Sequence, residues 1–253
     1  MGGAVEHFSG NSLLRSISEK LLEPFRRELI AVDIPEGFAL AKHGELFSHV
    51  YFLSSGIASV LAVAEDGQKA ESGMIGREGL TSGASLVADR SGSFDVTMQI
   101  AGAGHRMSID AFRAAVQSEP VFRDQVTRFA YAYTGQVEMT ALINGAHNIN
   151  RRLARWLLMC HDRLEGEKVH VTHEYMAMML ATRRPSVTVA LHILEGERLI
   201  KSTRGVVHIR DRTGLEAFAG TSYGGAEREY ERMFGLHNPR TDRFHGIDAR
   251  QKR

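Results

Sequence analysis

The sequence has only one cysteine, Cys160, among its 253 residues. A single thiol cannot form a disulfide within the chain, and it excludes an iron–sulfur cluster or a zinc site built on several cysteines. Apolar runs as long as a membrane span are also lacking. We therefore expect a soluble protein in a reducing, cytoplasmic compartment.

An excess of charge of one sign is lacking too, because 31 Lys and Arg residues face 30 Asp and Glu residues. The near-neutral total conceals an uneven distribution. Residues 148–220 carry a net charge of +4, residues 221–253 carry +2, and residues 1–147 carry −5. An acidic first part joined to a basic last part is typical of a sensor coupled to a nucleic-acid-binding domain.

Signatures of catalysis are sparse. The neighbours Cys160 and His161 do not make a catalytic dyad, which needs contact in space and an orienting third group. Cys160 lies on the apolar side of a predicted helix, which favours a buried structural thiol. The histidine spacings match no standard metal-ligand motif, and we recognise neither a Walker phosphate loop nor a Gly-x-Ser-x-Gly nucleophile elbow. We therefore predict that the chain is not an enzyme and has no metal site.

The first half of the chain changes from a helical to a strand-like pattern. Apolar residues at spacings of three and four predict a helix over residues 12–31. From residue 32 to about 109, short apolar runs alternate with turn signals and predict a small antiparallel barrel or sandwich. Asp66-Gly67 between two such runs predicts a hairpin with a type I′ turn.

A long helix is predicted over residues 121–143, with five apolar residues along one stripe: Phe122, Val126, Phe129, Tyr133 and Val137. Such a stripe must be buried. Packing on the predicted barrel would bury it, and so would a second copy of the helix. Of these two alternatives we favour the second copy, and hence a dimer.

Residues 148–220 have the outline of a winged helix-turn-helix. A helix is predicted over residues 148–164, a short helix capped by Thr172 follows, and another begins near Arg183. A hairpin over residues 199–209 completes the outline. Residues 221–253 lose apolar periodicity, and we expect a mostly disordered tail with a frayed helix around residues 226–234.

Several runs resemble the Crp/Fnr family of bacterial transcription regulators. Residues 150–159, 171–174, 179–184 and 186–188 are similar to that family's DNA-binding domain. The runs that resemble its β-roll are 44–45, 49–53, 55–56, 66–67 and 76–79. The resemblance extends in one uninterrupted order over about residues 12–218, which makes it specific.

This resemblance implies an α+β fold with four parts. A double-stranded β-roll of the cyclic-nucleotide-binding type would occupy residues 12–119, and a long dimerisation helix residues 120–147. The winged helix-turn-helix would occupy residues 148–220, followed by the tail at 221–253. It also implies a homodimer on a palindromic operator with half-sites about 34–36 Å apart, and contact with RNA polymerase if the protein is an activator.

The resemblance and helix geometry together nominate residues for DNA contact. The second helix would enter the major groove, where Arg can grip guanine with two donors. The nominated residues are Thr172, His173, Arg183, Arg184, Ser186, Thr188, His192 and Arg204. Well-known family members carry Glu and Arg where this chain has Pro185 and Val189, so its operator should differ from theirs.

The effector is less well defined than the DNA-binding residues. Six residues are candidates for the effector pocket: Gly76, Arg77, Glu78, Gly79, Arg90 and Ser91. Cyclic AMP needs a fixed Arg-Ser fork for its phosphate, which the sequence does not securely provide. We therefore expect another ligand or none. Residues 76–79 are explained equally well as a turn whose side chains satisfy the hydrogen bonds of its own backbone.

Haem is the other effector that needs little from the sequence. It requires one histidine, for which His43, His49 and His105 are candidates, but each is better explained as a surface or core residue. We do not expect haem. An alternative to the DNA-binding regulator remains open: a cyclic-nucleotide-binding module whose last part contacts protein instead of DNA.

Overall fold

The computed structural model describes residues 10–81 and 94–235. They form two compact units, each with its own core. The described part of the first unit covers residues 10–67, 74–81 and 94–130, and that of the second covers residues 68–73 and 131–235. The candidates Arg90 and Ser91 lie outside the described residues, as does the 236–253 part of the predicted tail.

The first unit begins with short helices rather than the single helix predicted for residues 12–31, so that prediction is wrong. Helix α1 (Ser12–Arg15) ends where the hydroxyl of Ser16 bonds the carbonyl of Leu13. Ser18 precedes α2 (Glu19–Leu22), and a 3₁₀ turn (Glu23–Glu28) with proline near its start leads into the first strand. The apolar spacing continues across these breaks, which hides them from a periodicity argument.

Two antiparallel sheets follow, as the β-roll prediction requires. The strands are β1 (Ile30–Ile34), β2 (Ala39–Ala41), β3 (His49–Leu53), β4 (Ile57–Val63), β5 (Lys69–Ile75), β6 (Phe94–Ile100) and β7 (Gly102–Ser108). Their order is β1-β7-β3 in one sheet and β2-β6-β4-β5 in the other. The aromatic core joins Phe52, Phe112 and Phe122, with ring centroids 5.9–6.5 Å apart. The predicted fold class is confirmed.

The turn between β4 and β5 differs from the predicted type. Gly67 has a φ of 82°, whereas Asp66 is not among the residues with positive φ. The Gly67 N–H donates to the carbonyl of Ala64 at 2.9 Å. A type I′ turn needs positive φ at both central residues, so this is a type I-like turn that ends on a left-handed glycine.

Helix α3 (Ile109–Ser118) leads into the long α4 (Pro120–Ala146). The first unit already buries the apolar stripe of α4 that we assigned to a dimer contact. Phe122, Val126 and Phe129 are 1%, 0% and 4% exposed, and the ring of Phe129 fills the space beside Gly79. That assignment of the stripe is therefore wrong, and the alternative of packing on the barrel is right for these three residues.

The second unit has the predicted winged helix-turn-helix outline. Its further elements are α5 (Ile149–Arg163), β8 (Lys168–His170), α6 (His173–Met179), α7 (Arg184–Gly196), β9 (Ile200–Thr203), β10 (Val206–Ile209), α8 (Arg212–Ala219) and α9 (Gly225–Phe234). The strands pair in the order β8-β10-β9, and β10 is antiparallel to both neighbours. Among the described helices, none combines the length and apolar character needed to cross a membrane.

Residues 221–235 are more ordered than the sequence predicts. Tyr223 is only 2% exposed, and its hydroxyl donates to Asp162 at 2.6 Å. The frayed helix expected near this point is α9, whose first turn is capped by Glu227 accepting from the Gly224 N–H at 3.0 Å. Tyr223 lies 61 residues from Asp162 in the chain, so no local pattern reveals their contact.

Asp162 is the centre of a buried polar cluster. Arg212 donates to it at 2.7 Å and also donates to the hydroxyl of Tyr223 at 2.7 Å. Burial raises the pKa of Asp162 to about 6, although Arg212 opposes this shift; Glu227 raises it further. Burial alone would lower the pKa of Arg212, but contact with Asp162 raises it. The ion pair is therefore intact at neutral pH, with a carboxylate that is costly to bury.

The raised pKa of Asp162 makes stability depend on pH. The ordinary value is 3.8, so the folded protein holds this proton more tightly than the unfolded chain. The group's contribution favours folding below about pH 4 and is lost as the pH rises through about 6. Relative to Asp162→Asn, the wild type should therefore lose unfolding free energy between pH 4 and pH 6, measured by urea unfolding with Trp156 fluorescence.

Glu165→Gln is the matched control, because it neutralises an exposed carboxyl close to Asp162 in the chain. Its pH profile should run parallel to that of the wild type. A profile of Asp162→Asn that is also parallel to the wild type would contradict the raised pKa.

Candidate nucleic-acid interface

The helix-turn-helix is formed by α6, α7 and the tight turn between them. The Thr172 hydroxyl caps α6 by accepting from the Tyr175 N–H at 3.1 Å, as predicted. Helix α7 starts after Arg183, with proline in its first turn. Between the helices, Ala181 has a φ of 44°, a left-handed conformation that costs an alanine about 1–2 kcal/mol. The turn thus fixes the start of α7 at the expense of backbone strain.

Helix α7 buries one face and exposes the other. Val187, Ala190, Leu191 and Leu194 are all 0% exposed, as predicted for the inner face. On the outer face Pro185 and His192 are exposed, and the side chain of Val189 is 58% exposed. The same helix therefore anchors itself in the domain and presents a free surface.

Two nominated residues are engaged with each other. His173 Nδ1 lies 3.1 Å from the Thr188 hydroxyl, which in turn donates to the carbonyl of Arg184 at 3.2 Å. This chain of contacts ties the start of α6 to the first turn of α7. Thr188 and His173 therefore help to hold the helix pair, which leaves less of their polar capacity for DNA. Ser186 is half-buried.

Arg183 and Arg184 are exposed at the start of α7. They border a concavity of about 570 Å³. Its lining residues are Thr172, Glu174, Tyr175, Ala177, Met178, Thr182, Arg183 and Arg184. Glu174 lies 3.9 Å from Arg184, and both side chains are mostly exposed, so this pair is weak and can be exchanged for another partner. The sequence did not point to Glu174, because no sequence motif marks an exposed acidic residue beside a predicted DNA contact.

Arg204 lies exposed in the turn of the β9–β10 hairpin. Gly205 follows it with a φ of 75°, and its carbonyl accepts from the Val171 N–H at 2.9 Å. The hairpin tip is thereby fixed next to the residue that precedes the Thr172 cap. The structure thus places Arg204 near the same end of α6 as Thr172.

Arg152 is a second residue that sequence reasoning did not single out. Its Nε donates to the Asn144 side chain of α4 at 3.0 Å, and its Nη2 bonds the carbonyl of Leu180. It therefore joins α4, α5 and the end of α6. The signal was present as the Arg151-Arg152 pair, but its partners are distant in sequence.

The candidate effector turn lies in the first unit and is closed on itself. Both carboxylate oxygens of Glu78 lie 3.1 Å from the Gly76 N–H, and the Gly79 N–H donates back to the Gly76 carbonyl. Asn11, which is fully buried, donates to the carbonyls of Gly79 and Leu53. Arg77 is half-buried. This geometry matches the interpretation of a self-satisfied turn.

The residues weighed for other chemistry have structural partners. Cys160 is fully buried, as predicted. His161 Nε2 lies 2.8 Å from Glu167, and His161 Nδ1 lies 2.9 Å from Arg212. Within residues 10–81 and 94–235, no three His, Cys, Asp or Glu side chains gather closely enough to hold a metal.

A Gly-x-Ser-x-Gly pattern is in fact present at residues 220–224, although we recognised none in the sequence. This pattern marks a hydrolase nucleophile when the serine sits exposed between a strand and a helix. Here Ser222 lies in a 3₁₀ turn after α8 and is 1% exposed, and its hydroxyl donates to the carbonyl of Ala219. The arrangement has the letters of the motif without its geometry.

The fold and the exposed face of α7 define a class of protein, in which one chain contains a β-roll unit and a winged helix-turn-helix. Comparison with known proteins agrees. Residues 151–218 match the family model of the Crp-like helix-turn-helix domain. No curated protein matches the sequence.

Solved structures share the fold over most of the chain. A protein assigned to the Crp/Fnr regulators from Eubacterium rectale is 14% identical, with 83% of this chain and 99% of that chain covered and a TM-score of 0.66. The CRP-family regulator TTHB099 from Thermus thermophilus is 21% identical, with 76% and 98% covered and a TM-score of 0.64. The c-di-GMP-responsive regulator CLP from Xanthomonas campestris is 14% identical, with 76% and 99% covered and a TM-score of 0.61.

The domain match confirms the predicted helix-turn-helix of residues 151–218, and the solved structures show that the fold of most of the chain is the one the sequence motifs predicted. Residues 151–218 therefore belong to the Crp-like helix-turn-helix domain family.

The strained turn residue makes a prediction for stability. Ala181→Gly should raise the free energy of unfolding by about 0.5–1 kcal/mol, because glycine adopts positive φ without the Cβ clash. Ala141→Gly, at an exposed helical position of α4, should lower it by about 1 kcal/mol. Urea unfolding measures both. A loss of stability in Ala181→Gly would show that the turn is not strained.

Proposed function

We propose that the protein is a homodimeric transcription regulator of the cytoplasm that inserts α7 into the major groove of a palindromic operator. The observation that carries this proposal is the two-sided character of α7. Its inner face is completely buried, while Arg183 and Arg184 stand exposed at its start beside an open concavity. A helix placed in this way delivers its first residues to base edges.

The charge of the domain supports the same function. Residues 148–220 carry 12 Lys and Arg against 8 Asp and Glu. Arg204 at the hairpin tip is exposed and is suited to a backbone phosphate, whereas Arg184 is suited to a guanine edge. The hydroxyl oxygen of Thr172 accepts the hydrogen bond of the helix cap, and its proton is available to donate to a phosphate oxygen.

The outer face of α7 also bears on operator sequence. The exposed side chains of Pro185 and Val189 offer no hydrogen bonds, but they can make apolar contact with thymine methyl groups. We infer an operator that differs from those of relatives with Glu and Arg at these positions. Contacts by Arg184 and His192 would supply the polar part of recognition.

The homodimer rests on a different stripe of α4 from the one we first assigned. In the second unit, Tyr131 and Leu142 are 64% and 59% exposed, and they lie eleven residues apart, close to three helical turns. Glu138 lies between them on the same exposed face. An exposed apolar stripe on a long helix is suited to pairing with its own copy.

For the effector we propose only a class of ligand. The first unit has the cyclic-nucleotide-binding type of fold, and Glu78 is engaged by the backbone of its own turn. We therefore propose an effector other than cyclic AMP, or none. If the protein is an activator, its further partner is RNA polymerase.

Genomic pull-down of the protein with sequencing of the bound DNA tests the function directly. We expect a set of fragments that share a two-fold symmetric motif. Enrichment of no motif would favour the alternative module that acts through protein contacts.

With that operator in hand, Arg184→Ala should weaken its binding by about 1–3 kcal/mol, because a bidentate contact with guanine is lost. Fluorescence anisotropy at fixed salt measures the change. Arg204→Ala serves for comparison: it should weaken operator and random duplexes alike and reduce the salt dependence. Arg27→Ala, exposed in the first unit, should change neither, and an unchanged affinity of Arg184→Ala would remove α7 from recognition.

Dimer formation has its own test. Leu142→Glu should convert the dimer to a monomer in sedimentation, because two carboxylates would face each other across the helix pair. Leu46→Glu is the matched control, since Leu46 is 72% exposed in the first unit. If Leu142→Glu sediments as the wild type does, the stripe of Tyr131 and Leu142 is not the dimer contact.

A further inference from the structure

Strand β5 is divided between the two units. Its residues 69–73 belong to the second unit, and its last two residues belong to the first. The chain then enters the candidate effector turn at Gly76 directly. A few residues of one strand therefore connect that turn covalently with the unit that carries the helix-turn-helix.

Within the second unit, Glu71 of β5 is bonded to α5. The Trp156 indole Nε1–H donates to Glu71 Oε1 at 2.8 Å. Glu71 is 5% exposed and Trp156 is 3% exposed. A hydrogen bond to a carboxylate that is shielded from water is among the stronger polar contacts in proteins.

The surroundings fix Glu71 on both sides. Next to it, Gly73 packs so tightly on α4 that a Cβ there would meet the Tyr133 hydroxyl at 2.8 Å and Gln136 Oε1 at 3.0 Å. On the α5 side, Arg155 is 6% exposed and has a pKa lowered by burial, which the negative charges of Glu227 and Glu71 oppose. The carboxylate of Glu71 thus accepts the hydrogen bond of Trp156, and its negative charge favours the charged form of Arg155.

We infer that Glu71 is a positioning residue for DNA binding: its hydrogen bond to Trp156 sets the orientation of α5 and ties it to the strand that leads into the effector turn. Helix α5 packs directly against α7 and α8. A change in the placement of α5 therefore changes the placement of the face that carries Arg184. This inference rests on the proposed DNA-binding function.

The chain provides a selective probe of this contact, because Trp156 is its only tryptophan. The full-length protein should therefore show a single indole N–H resonance in a ¹⁵N correlation spectrum. Glu71→Ala should move that resonance upfield, because the proton loses its carboxylate. Glu71→Gln, which keeps an acceptor oxygen, should move it less. Glu65→Ala removes an exposed carboxylate from the same hairpin and should leave the resonance in place.

DNA affinity separates positioning from stability. Glu71→Ala should weaken binding to the pulled-down operator about threefold or more while a random duplex of equal length binds as before. A misplaced α5 disturbs the register of base contacts more than phosphate attraction. Glu71→Gln should restore most of the difference. Trp156→Phe removes the donor but keeps an aromatic ring, and it should weaken operator binding in the same way. It replaces Glu71→Ala in this test if that variant folds poorly.

Distinct results would overturn distinct claims. An unmoved indole resonance in Glu71→Ala would show that the contact does not exist in solution. A moved resonance with an unchanged ratio of operator to random affinity would make the contact purely structural and overturn the inference. Failure of the wild type itself to prefer any operator would instead overturn the proposed function.

Discussion

Helix α5 imposes the constraint on which the second unit depends. Every residue from Leu153 to Arg163 is buried, although the run contains two arginines, a histidine and an aspartate. A buried charge without a partner costs several kcal/mol. Arg163 donates to the carbonyl of Met159 within the helix. The remainder of the unit is arranged so that the other three groups, Arg155, His161 and Asp162, meet partners from outside it.

Those partners come from widely separated parts of the chain. Arg212 and Tyr223 donate hydrogen bonds to Asp162, and the carboxylate of Glu167 lies beside His161. The negative charges of Glu71 and Glu227 stabilise the charged form of Arg155. One consequence is that the domain does not end where the family match ends at residue 218. Tyr223 closes the cluster from beyond that boundary, so the segment after α8 is part of the fold.

Local signals predicted what local physics determines. The Thr172 cap, the start of α7 after Arg183, and the inner face of α7 were all readable, because caps and helical periodicity act within a few residues. The stripe of α4 shows the limit of this reasoning. Periodicity correctly indicated that Phe122, Val126 and Phe129 are buried, but it could not distinguish the protein's own barrel from a second copy.

The candidate site divides in the same way. The resemblance to a family nominated Arg183, Arg184 and Arg204, and the structure shows all three exposed. Three further features depend on contacts in space. They are the contact of His173 with Thr188, the pairing of Glu174 with Arg184, and the hydrogen bond between Trp156 and Glu71. The last of these spans 85 residues, and nothing in a linear pattern links such positions.

The burial of α5 has a practical consequence through Cys160, which is fully buried in that helix and is the only thiol in the chain. A thiol-specific reagent can react only with molecules in which α5 has opened. The labelling rate under native conditions therefore reports the opening free energy of this one helix, without introduced cysteines and without a signal from the first unit.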